Sequence, residues 1–359
     1  MHLKQLNLTQ YKNISSKSFT FNPKINCFIG DNGIGKSNII DSIYHLAFGK
    51  SYFNPISSQN IQMDKGFFVL DGRFEISGKE EKIICSLKKG QKKIIKRNGK
   101  VYNKLADHIG LIPTVIISPA DRDLISDGSS ARRKFMDGVI GQTDSNFLQN
   151  LLEYNKILSQ RNALLKFFAL NNIYEADNIE IYNEQLIKRS SPIYEKRSAF
   201  MESFIPIFNM CYESISNGKE NISLNYESQL KKQSHEELLI ESIKRDKVLH
   251  YTSKGIHKDD INFLLQGQPI KKFGSQGQQK TFLIALKFAQ FDFLKKETGS
   301  APILLLDDAF DKLDQKRVTK IISLVDQNDF GQIFITDTHE ERTIEALGES
   351  KSNYQIFKL

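Results

Sequence analysis

The segment that decides the fold reads Ile25-Asn26-Cys27-Phe28-Ile29-Gly30-Asp31-Asn32-Gly33-Ile34-Gly35-Lys36-Ser37. Its second part matches the pattern GxxxxGK[ST], in which glycines let backbone N–H groups and a helix N-terminus face phosphate oxygens. We expect Lys36 to reach the β- and γ-phosphates of ATP and the Ser37 hydroxyl to ligate Mg²⁺. The predicted nucleotide-binding residues are Gly30, Asp31, Asn32, Gly33, Ile34, Gly35, Lys36 and Ser37.

The residues on either side of this loop favour a phosphate-binding loop over a chance match in a glycine-rich turn. The apolar run before Gly30 indicates a short buried strand, and apolar residues recur at helical spacing from Lys36 to Phe48. A strand before the loop and a helix after it are the context that this motif requires.

A second apolar run ends in two carboxylates, as Ile303-Leu304-Leu305-Leu306-Asp307-Asp308. Buried strands often end at an acidic residue, but beside a phosphate-binding loop this run has the form of a Walker B motif. We expect Asp307 to hold Mg²⁺ through water and Asp308 to act as the catalytic residue, orienting or deprotonating the attacking water. Asp308 is one methylene shorter than the glutamate commonly found there, which favours slow hydrolysis.

The segment Phe273-Gly274-Ser275-Gln276-Gly277-Gln278-Gln279 precedes a helical pattern that extends to Lys296. Alone it would indicate an ordinary serine N-cap after a glycine turn, but ABC-type ATPases place their signature motif at this point in the chain. In that class the signature of one subunit completes the ATP site of the other, which predicts an ATP-dependent homodimer. The nucleotide-binding residues expected from this region are Ser275, Gly277, Gln278 and, in the dimer-facing loop Asp311-Lys312-Leu313-Asp314, Asp314.

Strand and helix patterns divide the chain into two lobes. Residues 66–105 have hairpin periodicity with an Asn-Gly turn, residues 132–215 have long helical patterns, and strands alternate with helices again from about residue 250. We predict an α/β fold, an ABC-type P-loop ATPase head with a parallel-sheet core and β-hairpin subdomain, plus an inserted helical lobe. The predicted head (lobe I) comprises residues 1–135 and 250–359, and lobe II comprises residues 136–249.

The positive charge of the chain is concentrated in one short segment. The 359 residues hold 50 Lys and Arg against 42 Asp and Glu, a net charge of +8, and residues 88–104 contain eight basic and no acidic residues. Such a block predicts a polyanion partner, nucleic acid or a membrane surface, although Lys-rich edge strands also protect against aggregation. The DNA-binding candidates are Lys88, Lys89, Lys92, Lys93, Lys96 and Arg97.

Composition also indicates a compartment. No apolar run approaches the roughly 18 residues of a membrane span, and the N-terminus lacks the apolar core of a signal peptide. The cysteines Cys27, Cys85 and Cys211 lie far apart, without a CxxC pair. These features predict a protein of the reducing cytoplasm that has no membrane partner.

The order of these motifs resembles the RecF family, bacterial recombination and repair ATPases related to the heads of SMC and Rad50. The resemblance runs nearly end to end and is most specific at Ser275-Gln276-Gly277-Gln278-Gln279. Further similar segments are residues 6–13 (LNLTQYKN), 117–119 (ISP), 132–137 (RRKFMD), 154–162 (YNKILSQRN) and 255–260 (GIHKDD).

This resemblance implies an ATP-dependent protein that binds double-stranded DNA at gaps, beside junctions between duplex and single-stranded DNA. It implies that RecO and RecR are partners in loading RecA, and that the protein acts in the SOS response and in replication restart. It also implies a slow DNA-dependent ATPase that serves as a conformational switch and performs no chemistry on DNA.

Some positions depart from the family pattern. Ile256 stands where the family often has proline, Lys258 where it has arginine, and Phe53 where many members carry arginine. No glutamine clearly ends the strand before the helical lobe, so the usual Q-loop ligand is unassigned. Either Asp337 or His339 takes the place of the γ-phosphate sensor.

Other classes of protein share the nucleotide motifs. A transporter ATPase subunit fits less well because Lys36 and Asp307 stand 271 positions apart (307 less 36), which leaves room for a sizeable inserted lobe. An SMC- or Rad50-like structural head would be expected to have a hinge or a CxxC hook. A nuclease fused to the ATPase would need a further acidic cluster with metal spacing.

Overall fold

The computed structural model describes residues 1–216, 220–308, 331–348 and 353–359. In these ranges the helices are α1 (Lys36–Phe48), α2 (Asp123–Ser126), α3 (Ser129–Thr143), α4 (Ser145–Asn171), α5 (Ala176–Ser216), α6 (His235–Leu249), α7 (Ile270–Phe273), α8 (Gln276–Thr298) and α9 (Glu340–Gly348). The strands are β1 (His2–Tyr11), β2 (Ile14–Thr20), β3 (Ile25–Ile29), β4 (Phe67–Ile76), β5 (Lys79–Lys88), β6 (Ile94–Arg97), β7 (Lys100–Val101), β8 (Thr114–Ile117), β9 (Ile222–Glu227), β10 (Asp260–Leu265), β11 (Gln268–Pro269), β12 (Ile303–Leu306), β13 (Ile333–Asp337) and β14 (Tyr354–Lys358).

The chain forms two compact units, residues 1–122 with 283–359, and residues 123–282. The sequence placed the boundaries elsewhere, with a head of 1–135 and 250–359 around a lobe of 136–249. The structural boundaries lie farther out because β9 and β10 pack on α5 and α3 of the inserted unit, and α7 packs on α2 and β10. The inserted unit therefore contains a small sheet as well as helices.

A parallel sheet forms the centre of the first unit. Over the described residues its strand order is β14-β3-β13-β12-β8, and each neighbouring pair is parallel. Its inner strands β3, β12 and β13 are buried throughout, as their continuous apolar sequences require. Because the carboxyl ends of parallel strands meet at one edge, the segments after β3, β8, β12 and β13 come together there.

An antiparallel sheet of the same unit contains the basic segment. Its order in the described chain is β2-β1-β4-β5-β6-β7, and the β6–β7 turn at Asn98 and Gly99 has positive φ at both residues (49° and 82°). These angles are those of the hairpin turn that the Asn-Gly pair predicts. Leu6 and Phe68 of this sheet share one apolar core with Ile43 of α1, which fixes the sheet against the helix that follows the phosphate-binding loop.

Buried ion pairs organise the second unit. The Arg197 guanidinium donates to both carboxylate oxygens of Asp137 at 2.9 Å and to Asp259 Oδ2 at 2.8 Å. Arg161, which is also fully buried, donates to Asp246 Oδ2 at 2.9 Å. Three of the RecF-like segments, 132–137, 154–162 and 255–260, thus supply core residues of this unit.

No helix in the described residues has both the length and the apolar character that a membrane span needs.

The pair Arg132-Arg133 also has a structural role in this unit. Arg132 forms a bidentate ion pair with Asp260 at 2.7 and 2.9 Å, and Arg133 donates to the Asp259 carbonyl at 2.5 Å. Because the two guanidinium groups bind the first residue of β10 and the residue before it, these arginines attach α3 to the small sheet.

Candidate nucleotide site

The loop between β3 and α1 depends on two glycines with left-handed backbone conformations. Gly33 has φ 82° and Gly35, which caps the N-terminus of α1, has φ 113°. A Cβ atom on Gly35 would lie 2.9 Å from Asn13 Oδ1, closer than a nonbonded contact allows. Only glycine combines this φ with this approach, so the loop conformation explains the glycine at position 35.

The Lys36 ammonium is enclosed by its own loop. It donates to the carbonyl oxygens of Gly30 at 2.7 Å and Asp31 at 2.9 Å, and the residue is 5% exposed. The loop and the start of α1 line a cavity of about 130 Å³, to which Asp308 also contributes. A buried cation beside a helix N-terminus makes this cavity suited to an anion.

Asp307 and Asp308 stand at the carboxyl end of β12, opposite the start of α1. Burial raises the pKa of the Asp307 carboxyl to about 6, while hydrogen bonds from Ser37 and Thr336 lower it. Thr336 Oγ1 donates to Asp307 Oδ1 at 3.0 Å and accepts from the Asp308 N–H at 2.9 Å. The threonine of β13 thereby holds the two carboxylate residues of β12 in place.

These residues fit a magnesium nucleotide. The Ser37 hydroxyl and the Asp307 carboxylate are hydrogen-bonded neighbours, and both are the hard oxygen donors that Mg²⁺ prefers. Burial disfavours the charged form of Asp307, and a cation beside it would compensate for that cost. Lys36 and the loop N–H groups provide the complementary positive side for phosphate oxygens.

The turn between β1 and β2 supports the phosphate-binding loop, a role that no sequence motif predicts. Asn13 Nδ2 donates to the Gly33 carbonyl at 3.0 Å, and Asn13 Oδ1 accepts from Asn38 Nδ2 at 2.8 Å. One residue earlier, the Lys12 ammonium lies 2.6 Å from Asp41 Oδ2. The opening strand segment that resembles the RecF pattern is therefore part of the nucleotide site.

Asp41 of α1 is a buried anchor one turn after Ser37. Its Oδ2 atom accepts hydrogen bonds from the Tyr11 and Ser51 hydroxyls at 2.6 Å each, and its Oδ1 atom accepts the Tyr52 N–H at 2.6 Å. No sequence motif marks this aspartate, because its partners come from two other segments of the chain.

The structure separates the two candidates for the γ-phosphate sensor. Asp337 is 3% exposed, accepts the N–H groups of Thr338 and His339 at 2.6 and 3.2 Å, and accepts the Thr343 hydroxyl at 3.0 Å. Its carboxylate thus caps the start of α9. The His339 side chain is exposed and remains the better candidate for contact with a nucleotide.

The signature segment lies in the second unit and begins α8 with a capping box. Ser275 Oγ accepts the Gln278 N–H at 3.2 Å, and Gln278 Oε1 accepts the Ser275 N–H at 2.7 Å. Glu220 Oε1 accepts from Gln278 Nε2 at 2.8 Å. A Cβ on Gly277 would come no closer than 3.9 Å to Ser275 Oγ, so this surface is open. Asp314 lies outside the described residues.

Comparison with known proteins identifies the family. The model of the family described as RecF/RecN/SMC N terminal domain matches residues 2–358. A protein of Flavobacterium johnsoniae named DNA replication and repair protein RecF is 58% identical over 359 residues, the full length of both chains. The chain belongs to the RecF family. A Bacteroides fragilis protein of the same name is 48% identical over 360 residues, covering all of this chain and 96% of the relative.

Solved structures agree with this assignment to the RecF family. A structure of the recombination mediator protein RecF-ATPrS in the RecFOR pathway superposes with a TM-score of 0.89 at 30% identity, covering all of this chain and 96% of that one. An SMC head bound to the C-winged helix domain of ScpA has a TM-score of 0.57 at 15% identity over 96% of this chain and 92% of that one, which shows a shared fold. The predicted fold class, an ABC-type ATPase head, is confirmed.

Phe53, one of the predicted departures from the RecF pattern, lies beside Lys12 in the turn between β1 and β2. The Lys12 ammonium lies 5.5 Å from the centre of the Phe53 ring and also contacts the Tyr11 ring at 5.6 Å. An arginine in place of Phe53 would put a second cation beside Lys12. The aromatic ring instead offers its negative face to this cation.

The six basic residues predicted to contact DNA are in different environments. Arg97 forms a bidentate ion pair with Glu81 at 2.8 and 2.7 Å, and the half-buried Lys93 donates to Ser57 Oγ at 3.3 Å. Burial lowers the pKa of Lys93, as expected for an ammonium inside the hairpin. Lys96 is partly exposed, and the exposed members of the set are Lys88, Lys89 and Lys92.

Proposed function

We propose that this chain is an ATP-dependent DNA-binding protein of recombinational repair and replication restart. The single observation that carries the proposal is the meeting of the phosphate-binding loop with Asp307 and Asp308 at one edge of the parallel sheet. The name of the relatives, DNA replication and repair protein RecF, and the solved structures of RecF-ATP and RecF-ATPrS support it. The sequence identities of 58% and 48% extend over all of this chain, which favours this function over that of a transporter subunit or an SMC-like structural head.

In the proposed ATP site, Lys36 and the loop N–H groups bind the phosphates, and Ser37 and Asp307 hold Mg²⁺. The metal would neutralise phosphate charge and orient the leaving group. Asp308 accepts a proton from, or orients, the attacking water, while the exposed His339 senses the γ-phosphate. The short Asp308 side chain makes hydrolysis slow, as suits a conformational switch.

The second half of the proposed site comes from another copy of the chain. Ser275, Gly277 and Gln278, at the N-terminus of α8, bind the γ-phosphate held by the partner protomer, and Asp314 contributes to nucleotide binding in the same dimer. ATP then stabilises the dimer because it binds the dimeric form better than the monomer, and hydrolysis releases the two heads. This dimer clamps duplex DNA beside junctions with single strands.

The proposed cellular role follows from family membership. The dimer works in the cytoplasm with RecO and RecR to help RecA load at gaps, and it contributes to the SOS response. The solved structure of a RecF protein of the RecFOR pathway supports the link to RecO and RecR.

Two variants test the ATP mechanism. Lys36→Ala removes the phosphate-binding ammonium and should abolish ATP-dependent dimerisation, whereas Asp308→Asn keeps ATP bound and should trap the dimer on DNA. Sedimentation of the wild type and both variants, with and without ATP, measures this. A wild-type protein that stays monomeric at saturating ATP would refute the dimer mechanism.

A charge-removal variant tests the DNA contact of the exposed hairpin lysines. Replacing Lys88, Lys89 and Lys92 by Ala should make the log–log slope of DNA affinity against salt shallower by about 2.7, since each lost phosphate contact removes about 0.9. The measurement is ATP-dependent binding to duplex, single-stranded and gapped DNA across salt. A matched control removes the same charge from the second unit at the exposed residues Lys166, Lys188 and Lys244. Equal slopes for both triple variants would exclude the hairpin as the contact.

A further inference from the structure

The side-chain amide of Gln278, in the first turn of α8, is bound at both ends. Its Oε1 atom accepts the Ser275 N–H at 2.7 Å, and its Nε2 atom donates to Glu220 Oε1 at 2.8 Å. A backbone N–H can only donate and a carboxylate can only accept, so these two partners fix the orientation of the amide. Within the described residues its second N–H has no acceptor, so it remains available to a ligand.

Glu220 is itself held in place by two neighbouring elements. Directly after it, the Asn221 carbonyl accepts the Gln266 N–H at 2.7 Å, where β9 begins to pair with β10. The Glu220 Oε2 atom accepts the hydroxyl of Tyr212, a fully buried residue of α5. Both carboxylate oxygens are therefore engaged, one by α5 and one by α8, and the side chain has little freedom to move.

The aromatic core around Tyr212 also supports the helix that carries the amide. The Phe282 ring, one turn after Gln278, lies 6.2 Å from the Tyr212 ring and 4.9 Å from the Phe208 ring. All three rings are fully buried. Because Tyr212 contacts both the carboxylate and α8, it fixes their separation, and all of these residues lie in the second unit.

Ser275 adds a second hydrogen-bond donor beside the Gln278 amide. Its Oγ atom accepts the Gln278 N–H at 3.2 Å, and its hydroxyl hydrogen has no acceptor in the part of the chain that the structure describes. Phosphate oxygens accept hydrogen bonds, and a donor that is fixed before binding loses no further side-chain entropy when the phosphate arrives. The capping box therefore offers two donors from neighbouring side chains, and the donor on Gln278 depends on Glu220 for its orientation.

We propose that Glu220 is a positioning residue of the signature segment. Its carboxylate holds the Gln278 amide so that the second N–H donates to a γ-phosphate oxygen of the ATP bound by another copy of the chain, and Glu220 does not touch the nucleotide. No sequence motif marks this glutamate, which stands 58 positions before Gln278. The inference rests on the proposed function and adds the residue that orients the signature glutamine.

Replacing Glu220 tests this role in full-length protein by sedimentation at saturating ATP with Mg²⁺. Glu220→Ala releases the amide and should raise the dimer dissociation constant about tenfold or more, because both sites of a symmetric dimer are changed. Glu220→Gln should stay within about threefold of wild type, since its carbonyl oxygen can accept from Gln278 while its NH₂ group donates to the Tyr212 oxygen. The matched control, Glu227→Ala, removes an exposed carboxylate from the other end of β9 and should leave the constant unchanged.

Two further measurements separate orientation of the amide from support of the helix. In Glu220→Ala without ATP, the amide hydrogen exchange of residues 276–282 and the affinity of the monomer for ATP should remain within about twofold of wild type. The double variant Glu220→Gln with Gln278→Glu keeps a hydrogen bond between the two positions and an acceptor for the Ser275 N–H. It places a carboxylate where the amide donor stood, so ATP-dependent dimerisation should be lost while the exchange of residues 276–282 is retained.

Each alternative gives a different result. Dimerisation of Glu220→Ala or of the double variant with the wild-type constant would show that the amide donor is not needed, and the proposal would be wrong. Glu220→Gln as weak as Glu220→Ala would assign the effect to charge, and faster exchange at 276–282 in Glu220→Ala would assign it to helix support; either result overturns the positioning role. A wild-type protein that stays monomeric would refute the proposed function itself, whereas failure in the variants alone leaves that function standing.

Discussion

Replacing Asp41 by asparagine should destabilise the first unit by about 3–5 kcal/mol. The carboxylate is fully buried and accepts four donors at 2.6 Å, from Tyr11, Lys12, Ser51 and Tyr52. Asparagine retains one acceptor oxygen, but its NH₂ group must face donors at the other position. Breaking a buried charge pair in this way typically costs 3–5 kcal/mol, and leaving buried donors without an acceptor costs about 1–3 kcal/mol each.

Native-state hydrogen exchange of the α1 amides measures this loss, because it reports the opening free energy of the unit that contains the helix. Asp71→Asn is the matched control in the same unit. Its partner Lys82 lies 3.1 Å away, and the two side chains are 22% and 41% exposed, so the loss should stay below about 1 kcal/mol. A loss for Asp41→Asn as small as that of the control would refute the role of Asp41 as an anchor.

Three further predictions follow from individual residues. Gly35→Ala should weaken ATP binding at least tenfold in calorimetric titration, because its φ is 113° and its Cβ would meet Asn13; Gly78→Ala, with φ 75° and open space, is the control and should bind ATP normally. Burial lowers the pKa of His235 to about 4, so the unfolded state binds the extra proton first and stability falls as pH decreases from about 6.5 to 4. That loss reaches about 3 kcal/mol at pH 4, and His235→Gln should show a flatter urea-midpoint profile over this range. Arg197→Met should lower the melting temperature of the inserted unit by several degrees, since it leaves Asp137 and Asp259 without their cation; an unchanged melting curve would contradict the buried-pair assignment.

The motif-bearing elements were predictable because their signals are local. Helix α1 has the predicted bounds, Lys36–Phe48, and β12 has the predicted bounds, Ile303–Leu306. A phosphate-binding loop sets its own flanking strand and helix, so a single short segment specifies all three. The signal for the hairpin turn at Asn98-Gly99 is also local, because the Asn-Gly pair itself predicts the turn.

The residues that support the phosphate-binding loop and α1 were not predictable in the same way. Asn13 and Asp41 are ordinary polar residues, and their roles depend on partners that the sheet topology brings together from other segments. The buried ion pair between Asp121 and Lys287 joins residues 166 positions apart (287 less 121). Nothing in the residue types alone indicates which aspartate among many is buried.

The boundaries of the two compact units differ from the predicted lobe boundaries for a related reason. Strands β10 and β11 lie in the range that the sequence assigned to the head, but β10 pairs with β9 and β11 in a separate sheet. Alternation of apolar and polar residues predicts that a segment is extended, but only its pairing with neighbouring strands decides which sheet it joins.

The discontinuous first unit has a consequence for synthesis of the chain. Strand β3 lies between β13 and β14, and Ile25 pairs with Ile333 and Tyr354. At ribosomal rates of about 5–20 residues per second, the apolar β3 must wait roughly 15–60 seconds for these partners. The inserted unit is one continuous segment and can fold while the ribosome is still translating. Molecular chaperones are therefore expected to bind the nascent N-terminal part, and premature termination before β13 should yield an aggregating fragment.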